Sequence, residues 1–310
     1  MSLLLALNEL TKAGKLSLKI VAAHLNHQLR GVESDVDEQF VKHLTSELGI
    51  GLDLHREKIA TDGNLEQNAR DSRYTFLAET AKNLDAFAVL TGHTMNDQAE
   101  TFLLNLIRGS GPEGLGGMRV VRVLEEGKMR SGENETGKAA SPLLPFSSSP
   151  LLLIRPLLTW AKRGDTEDFC RELGVEYRYD TMNEDTAFKR VRIRKILLPL
   201  LEDMNPHIIE TLANTASLMQ SAVAADGDRE VGDHLTSSEL RALSQADLYK
   251  TLRAWLGEHR GNTRGLQLKH IQAIERLVLS EKSGKVAELP GGRVVKSDGR
   301  LVYEENKVEN

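Results

Sequence analysis

Between residues 2 and 108 the chain alternates amphipathic helical stretches with short apolar runs, and this alternation restricts the possible folds more than any other feature. Leu3, Leu4, Leu7 and Leu10 line one face of a helix predicted over 2–13, with Gly14 as its stop. Residues 18–25, LKIVAAHL, are an unbroken apolar run suited to a strand covered on both faces. Ser34 reads as the cap of the next helix, with Asp37 three residues on and Val36, Phe40, Leu44 and Leu48 in phase up to Gly49. Residues 50–57 form a weaker strand, 64–82 a helix and 86–90 a strand. In the last helix of the series, 95–108, Ala99, Phe102, Leu103, Leu106 and Ile107 make one apolar face.

Such a pattern predicts an α/β fold: a doubly wound, mostly parallel sheet with helices on both faces. A Rossmann-like domain usually opens with strand, phosphate loop and helix. This chain opens directly with the helix, so its first strand and phosphate loop are expected to be lacking.

At 310 residues two domains are expected, and the boundary is placed at 205. The first spans 1–205 and the second, smaller and mainly helical, spans 206–310. Helices are predicted over 207–223, 236–242, 246–257 and 267–280, then a terminal β-hairpin within 286–303, with turn signals at Pro290-Gly291-Gly292 and Ser297-Asp298-Gly299. Residues 124–150, rich in Gly, Ser, Pro and charge, read as a disordered insertion, followed by a helix over 165–173 and a strand over 175–179. A single cysteine, Cys170, excludes a disulfide framework and paired-cysteine metal or redox sites. No run approaches the ~20 apolar residues of a membrane span, and the start lacks a basic leader, so a cytoplasmic protein without membrane partners is expected.

The net charge of −5 does not advertise a nucleic-acid binder, but residues 189–195 hold five cations in seven positions: Lys189, Arg190, Arg192, Arg194 and Lys195. Arg190 and Arg194 share one helical face and Arg192 and Lys195 a neighbouring one. Their mutual repulsion favours a phosphate partner.

Ligands of open α/β sheets bind at the carboxyl ends of the strands, which directs attention to two loops. The first, HLNHQLRG, offers His27 for a base or phosphate and Arg30 as a phosphate fork, although ordinary surface polarity also explains them. The second carries Gly92 and His93 and runs into Asp97 and Glu100, three apart on one helix face. Two carboxylates there could hold Mg²⁺ or position an amine; equally, Thr94 and Asp97 make a capping box. The glycine-rich stretch after Arg108 suits close backbone approach or a helix C-cap. Glu66, Arg70 and Arg73 recur at helical spacing, as a salt-bridged solvent face would.

Taken in order, HLNHQLRG, NLEQNARDSRY, TGHTMNDQAETFLLNLIRGSGPEGLGGM, IRPLL, YDTMNED and RVRIRKILLPLLEDMNP resemble the tRNA(Ile)-lysidine synthases, members of the PP-loop (N-type) ATP pyrophosphatases. The resemblance covers about 3–206 strongly and the remainder through its helix layout and LPGG turn. It implies ATP-dependent adenylation of the wobble cytidine in tRNA(Ile) with a CAU anticodon. The amine of free L-lysine then displaces AMP to give lysidine, with ATP and Mg²⁺ as cofactors. By motif, His27, Arg30, Gly92 and His93 would lie at the nucleotide, and Asp97 and Glu100 would serve the lysine amine or the metal. Arg108 would shape the substrate pocket, and Arg190 and Arg194 would act in catalysis. Asn64, Glu66, Arg70, Arg73, Asp180, Asn183, Lys189, Arg192 and Lys195 would engage tRNA. No metal-ligand set is assigned, and a homodimer is left open.

Two departures stand out. Asn96 occupies a position where the family often has an acid, and the SGGxDS phosphate loop is absent, so an N-terminally truncated member is expected. An inactive tRNA-binding remnant is the alternative. Another PP-loop enzyme, such as a tRNA thiolase, is disfavoured by the lack of paired cysteines.

Overall fold

A computed structural model describes residues 1–59, 65–124, 150–175, 185, 188–225, 235–263 and 265–305. Two compact units emerge: one holds Met1–Gln98 and the described stretches between 119 and 195, the other Ala99–Met118 and the described stretches from 196 onward.

The first unit begins with α1 (Ser2–Lys12), β1 (Val21–Asn26), α2 (Val32–Leu48) and β2 (Gly51–Arg56). Strands β1 and β2 pair in parallel from Val21↔Gly51 to Asn26↔Arg56, with α2 as the crossover. Helix α2 starts two residues before Ser34. Gly31, at φ +53°, provides its N-cap, and the Ser34 hydroxyl, inside the first turn, accepts the Arg30 amide at 3.1 Å. Gly49, at φ +68°, closes the helix in the left-handed conformation that a glycine stop allows.

Next come α3 (Leu65–Asn83), β3 (Ala88–Leu90), α4 (Met95–Ile107), α5 (Pro112–Leu115), β4 (Val121–Val123), β5 (Leu152–Ile154) and α6 (Arg163–Glu172). β3 pairs with β5 in parallel and β4 with β5 antiparallel. Parallel pairs joined through helices give the expected α/β arrangement, but the described strands form two sheets, β1-β2 and β3-β5-β4, rather than one. Helix α3 packs on both β1 and β3 and so bridges them. Tyr74, Ala81, Val89, Leu124 and Leu153 form one core cluster; Leu5, Leu44 and Cys170 form another, where α1 meets α6. The strand expected over 175–179 and the insertion over 124–150 lie almost wholly outside the described residues.

Short α7 (Lys189–Arg192) runs into a π-helical turn, Ile193–Leu197, and then α8 (Leu198–Met204). The rest comprises α9 (Ile208–Ala225), β6 (Leu235–Thr236), α10 (Ser237–Arg241), α11 (Gln245–Arg260), α12 (Leu268–Leu279), β7 (Val286–Leu289), β8 (Gly292–Ser297) and β9 (Arg300–Glu305). Where a hairpin was expected, both turn signals are used, so β7, β8 and β9 form an antiparallel meander that β6 extends to four strands. Trp255, Leu252, Leu256, Ile274, Val278, Val294 and Leu301 fill its core against α11 and α12. Among the described residues, no helix is long and apolar enough to cross a membrane.

Candidate active site

The site grows from the carboxyl end of β1. Asn26, the last residue of the strand, is buried, and its Oδ1 accepts the Gln28 amide at 2.9 Å. This Asx turn holds Gln28 at φ +53°, a left-handed conformation unusual for a residue with a Cβ. The chain thereby bends and presents His27, Leu29 and Arg30 to a cavity of about 340 Å³. Arg30 is held there by Asp37 at 2.6 Å and Glu33 at 3.7 Å.

A second wall comes from α3, where Glu66, Ala69, Arg70, Arg73 and Tyr74 recur on one face. Phe188, Arg190, Val191 and Arg194 supply a third, and His24 and His93 lie between. The cavity thus gathers five guanidinium groups (Arg30, Arg70, Arg73, Arg190 and Arg194) with two carboxylates, Asp37 and Glu66. Arg190 lies 3.9 Å from Glu66 and donates to the Asp97 carbonyl at 3.5 Å. Arg73 approaches His27 Nε2 at 3.5 Å, and Arg70 lies over the Tyr74 ring, 5.3 Å from its centroid.

Burial and this positive surround keep the imidazoles neutral. Desolvation, then Arg73, pushes His27 down to about 4. Desolvation and Arg155 push His93, hydrogen-bonded to Thr91 Oγ1 at 2.9 Å, down to about 3. His24 is also lowered by desolvation. A lining of permanent cations and neutral histidines suits a polyanion such as a triphosphate or an RNA backbone.

Asp97 sits in the first turn of α4. Its Oδ2 accepts both the amide and the hydroxyl of Thr94, at 2.8 and 2.9 Å, and its Oδ1 lies 3.7 Å from Arg163. Burial alone would raise its pKa, but the Thr94 amide, His93, Arg190 and Arg163 outweigh that and lower it. Asp97 therefore completes a cap and remains an anion at the edge of the cationic cluster. Glu100, on the same helix, is fully buried. The amide of the neutral Asn96 finds work too: its Oδ1 accepts the first backbone N–H of α6, from Arg163, at 2.8 Å. Among the described residues, no three His, Cys, Asp or Glu side chains converge to hold a metal.

The other expected residues are spread out. Gly92 lies exposed in the loop beside His93; Lys189 and Arg192 are exposed and Lys195 is half-buried, and none of these lines the cavity. Asn64, Asp180 and Asn183 fall outside the described residues. Arg108 belongs to the second unit, at the exposed end of α4. The glycine-rich loop after it is tied down within that unit. Gln267 donates to the Arg108 carbonyl at 3.1 Å, Asn105 to Gly114 at 2.6 Å and Gln220 to Gly116 and Met118 at 2.6 and 2.8 Å, while Arg253 pairs with Glu113 at 2.8 Å.

Reading from sequence missed His24, Asp37, Tyr74 and Phe188 as lining residues and Arg163 as the partner of Asp97. His24 carried a usable signal, a polar side chain within an apolar run, and Tyr74 shared the helical spacing of Glu66 and Arg70. Arg163 carried none, because its partner lies 66 positions earlier.

Comparison with known proteins adds likenesses of sequence and fold. A PP-loop domain model matches residues 1–201, and a TilS substrate binding domain model matches 235–302. The tRNA(Ile)-lysidine synthase of Salinispora tropica is 38% identical over 250 residues, covering 77% of this chain and 68% of the relative. That of Dehalococcoides mccartyi is 32% identical over 313 residues, covering 93% and 60%, so the chain spans less than two thirds of that relative. Among solved structures, the U34-tRNA thiolase NcsA from Methanococcus maripaludis with its [4Fe-4S] cluster superposes with a TM-score of 0.51 at 14% identity. The match covers 71% of this chain and 67% of the thiolase, a likeness of fold alone.

Proposed function

The chain belongs to the tRNA(Ile)-lysidine synthase family of PP-loop proteins, and we propose that it modifies the CAU anticodon of tRNA(Ile) with lysine at the expense of ATP. The wobble cytidine is adenylated with release of pyrophosphate, and the amine of free L-lysine displaces AMP to form the C–N bond of lysidine. The observation that carries this reading is the cavity at the β1 exit, where five arginines and three neutral histidines surround a space of about 340 Å³. A group of fixed cations stabilises negative charge on a phosphoryl centre without having to reorganise during the reaction.

In this reading, His27, Arg30 and His93 receive the nucleotide, and Arg190 and Arg194 face the phosphate at which the leaving group departs. Asp97 serves the lysine amine; Glu100, wholly buried on the same helix, has no exposed surface to offer it. With Asp97 already engaged by Thr94 and Arg163, a Mg²⁺ ion would enter coordinated chiefly by the triphosphate. The basic run 189–195 and the α3 face contact tRNA, and the protein works in the cytoplasm.

The test is incorporation of radiolabelled lysine into a tRNA(Ile) transcript with a CAU anticodon, with and without MgATP. ATP-dependent incorporation, lost when the anticodon cytidine is replaced by uridine, is expected. The alternative reading is tRNA binding without turnover. Tight binding of the transcript with no AMP release would favour that reading. Neither binding nor incorporation would sink both.

A further inference from the structure

We infer that Glu38, which does not line the cavity, is a positioning residue that sets the shape of the β1 exit loop and so aims His27 and Arg30. Its side chain is 1% exposed on α2. A carboxylate in that setting is costly unless its oxygens are fully occupied, and here they are. Oε1 accepts from Lys42 at 2.8 Å and Arg56 Nη2 at 2.9 Å; Oε2 accepts from Arg56 Nε at 2.7 Å and Asn26 Nδ2 at 2.9 Å. Arg56 closes β2 and Asn26 closes β1, so this one carboxylate ties both strand ends to the crossover helix.

The consequence lies in the orientation of the Asn26 amide. An ionised carboxylate only accepts hydrogen bonds, so it requires the Asn26 NH₂ to face it. The carbonyl of the same amide must then point the other way, toward the exit loop, where it accepts the Gln28 amide at 2.9 Å. The NH₂ is further fixed by the Ser34 carbonyl and by Asp35, both at 3.3 Å. That bond holds Gln28 at φ +53°, a conformation that costs about 1 kcal/mol or more for a residue with a Cβ. Without it the loop relaxes, and His27 and Arg30, one position before Gln28 and two after it, lose their aim into the cavity.

Glu38→Gln is nearly isosteric but introduces a second NH₂ group opposite Asn26, Arg56 and Lys42, which already donate. The amide of Asn26 is then held only by its two longer bonds, to the Ser34 carbonyl and Asp35, and turns over more readily. Arg56→Lys, which keeps the charge but loses the fork, should act in the same direction and more weakly. The direct readout is amide hydrogen exchange. Glu38→Gln should raise exchange at Gln28 and Arg30 by about tenfold, the loss of roughly one hydrogen bond's protection, while the amides of β1 keep theirs. The functional readout rests on the nucleotide reading above. The KM for MgATP in lysidine formation should rise about tenfold with kcat changed less than threefold.

A rescue separates positioning from general stability. Gln28→Gly adopts a positive φ without help, so the double variant Glu38→Gln/Gln28→Gly should recover most of the lost affinity for MgATP. The glycine relieves strain in any background, so a merely destabilised fold would regain Tm from it but not its KM for MgATP. Unchanged exchange at Gln28 in Glu38→Gln, or no recovery in the double variant, overturns the inference. Faster exchange in a protein whose unmodified form makes no lysidine would leave the loop mechanism standing and refute the functional reading instead.

Discussion

The cavity histidines couple the site to pH through their environment rather than through any exposed charge. In the unfolded chain their imidazoles take up protons near pH 6.5, whereas in the folded protein His27 waits until about pH 4 and His93 until about pH 3. Between those limits the unfolded state binds more protons, so stability is full above about pH 6.5 and falls as the solution is acidified. Glu38 acts in the same sense at lower pH, because the Arg56 fork holds its carboxyl well below the usual range. Replacing His27 by Asn should therefore shrink the drop in Tm between pH 7 and pH 4.5. An identical drop in parent and variant would mean that the ring is not desolvated in the folded state. Arg194 tests the site from the opposite wall. Arg194→Ala should cut lysine incorporation at least about tenfold, the scale of one lost charge-assisted contact in a phosphoryl-transfer site, and wild-type turnover would remove Arg194 from the catalytic group.

At the scale of elements, the glycine-rich loop 108–117 is shaped by what packs on it. A Cβ at Gly111 would overlap the Arg253 guanidinium, which pairs with the partly buried Glu113. Gly111→Ala should therefore displace Arg253, leave Glu113 short of its partner and cost about 1–3 kcal/mol in urea unfolding; a change below about 0.5 kcal/mol would show that Arg253 has another rotamer available. Nothing local announces this pairing, since 140 positions separate Arg253 from Glu113. Elements long enough to carry a period were legible: α3, α4, α9, α11 and α12 lie within a few residues of their expected bounds. β4 and β5, three residues each, are too short for alternation to register. The early start of α2 came from Gly31, whose positive φ turns the chain before the expected cap at Ser34. The hairpin became a sheet because two turn signals were present and each was used.

For the whole molecule, charge placement matters more than charge total. A net charge of −5 repels an RNA backbone at a distance, so binding must come from the cations concentrated at the cavity and along 189–195. The order of motifs made this concentration readable, but only the fold separates its two parts. Arg190 and Arg194 turn into the cavity, while Lys189 and Arg192 remain exposed beside it. The exposed pair is therefore expected to contact phosphates along the tRNA backbone, and the cavity pair to act on the nucleotide. Each phosphate contact releases about 0.7–0.9 of a counterion, so Lys189→Gln/Arg192→Gln should lower the slope of log affinity against log salt by about 1.5. Binding of MgATP should be left within about twofold, since neither side chain reaches the cavity. Arg190→Gln should do the reverse, weakening MgATP while changing the salt slope for tRNA by less than about one. If the two sets of variants instead moved both measurements together, the basic run would act as one undivided surface, and the division of labour between cavity and exposed face would have to be abandoned.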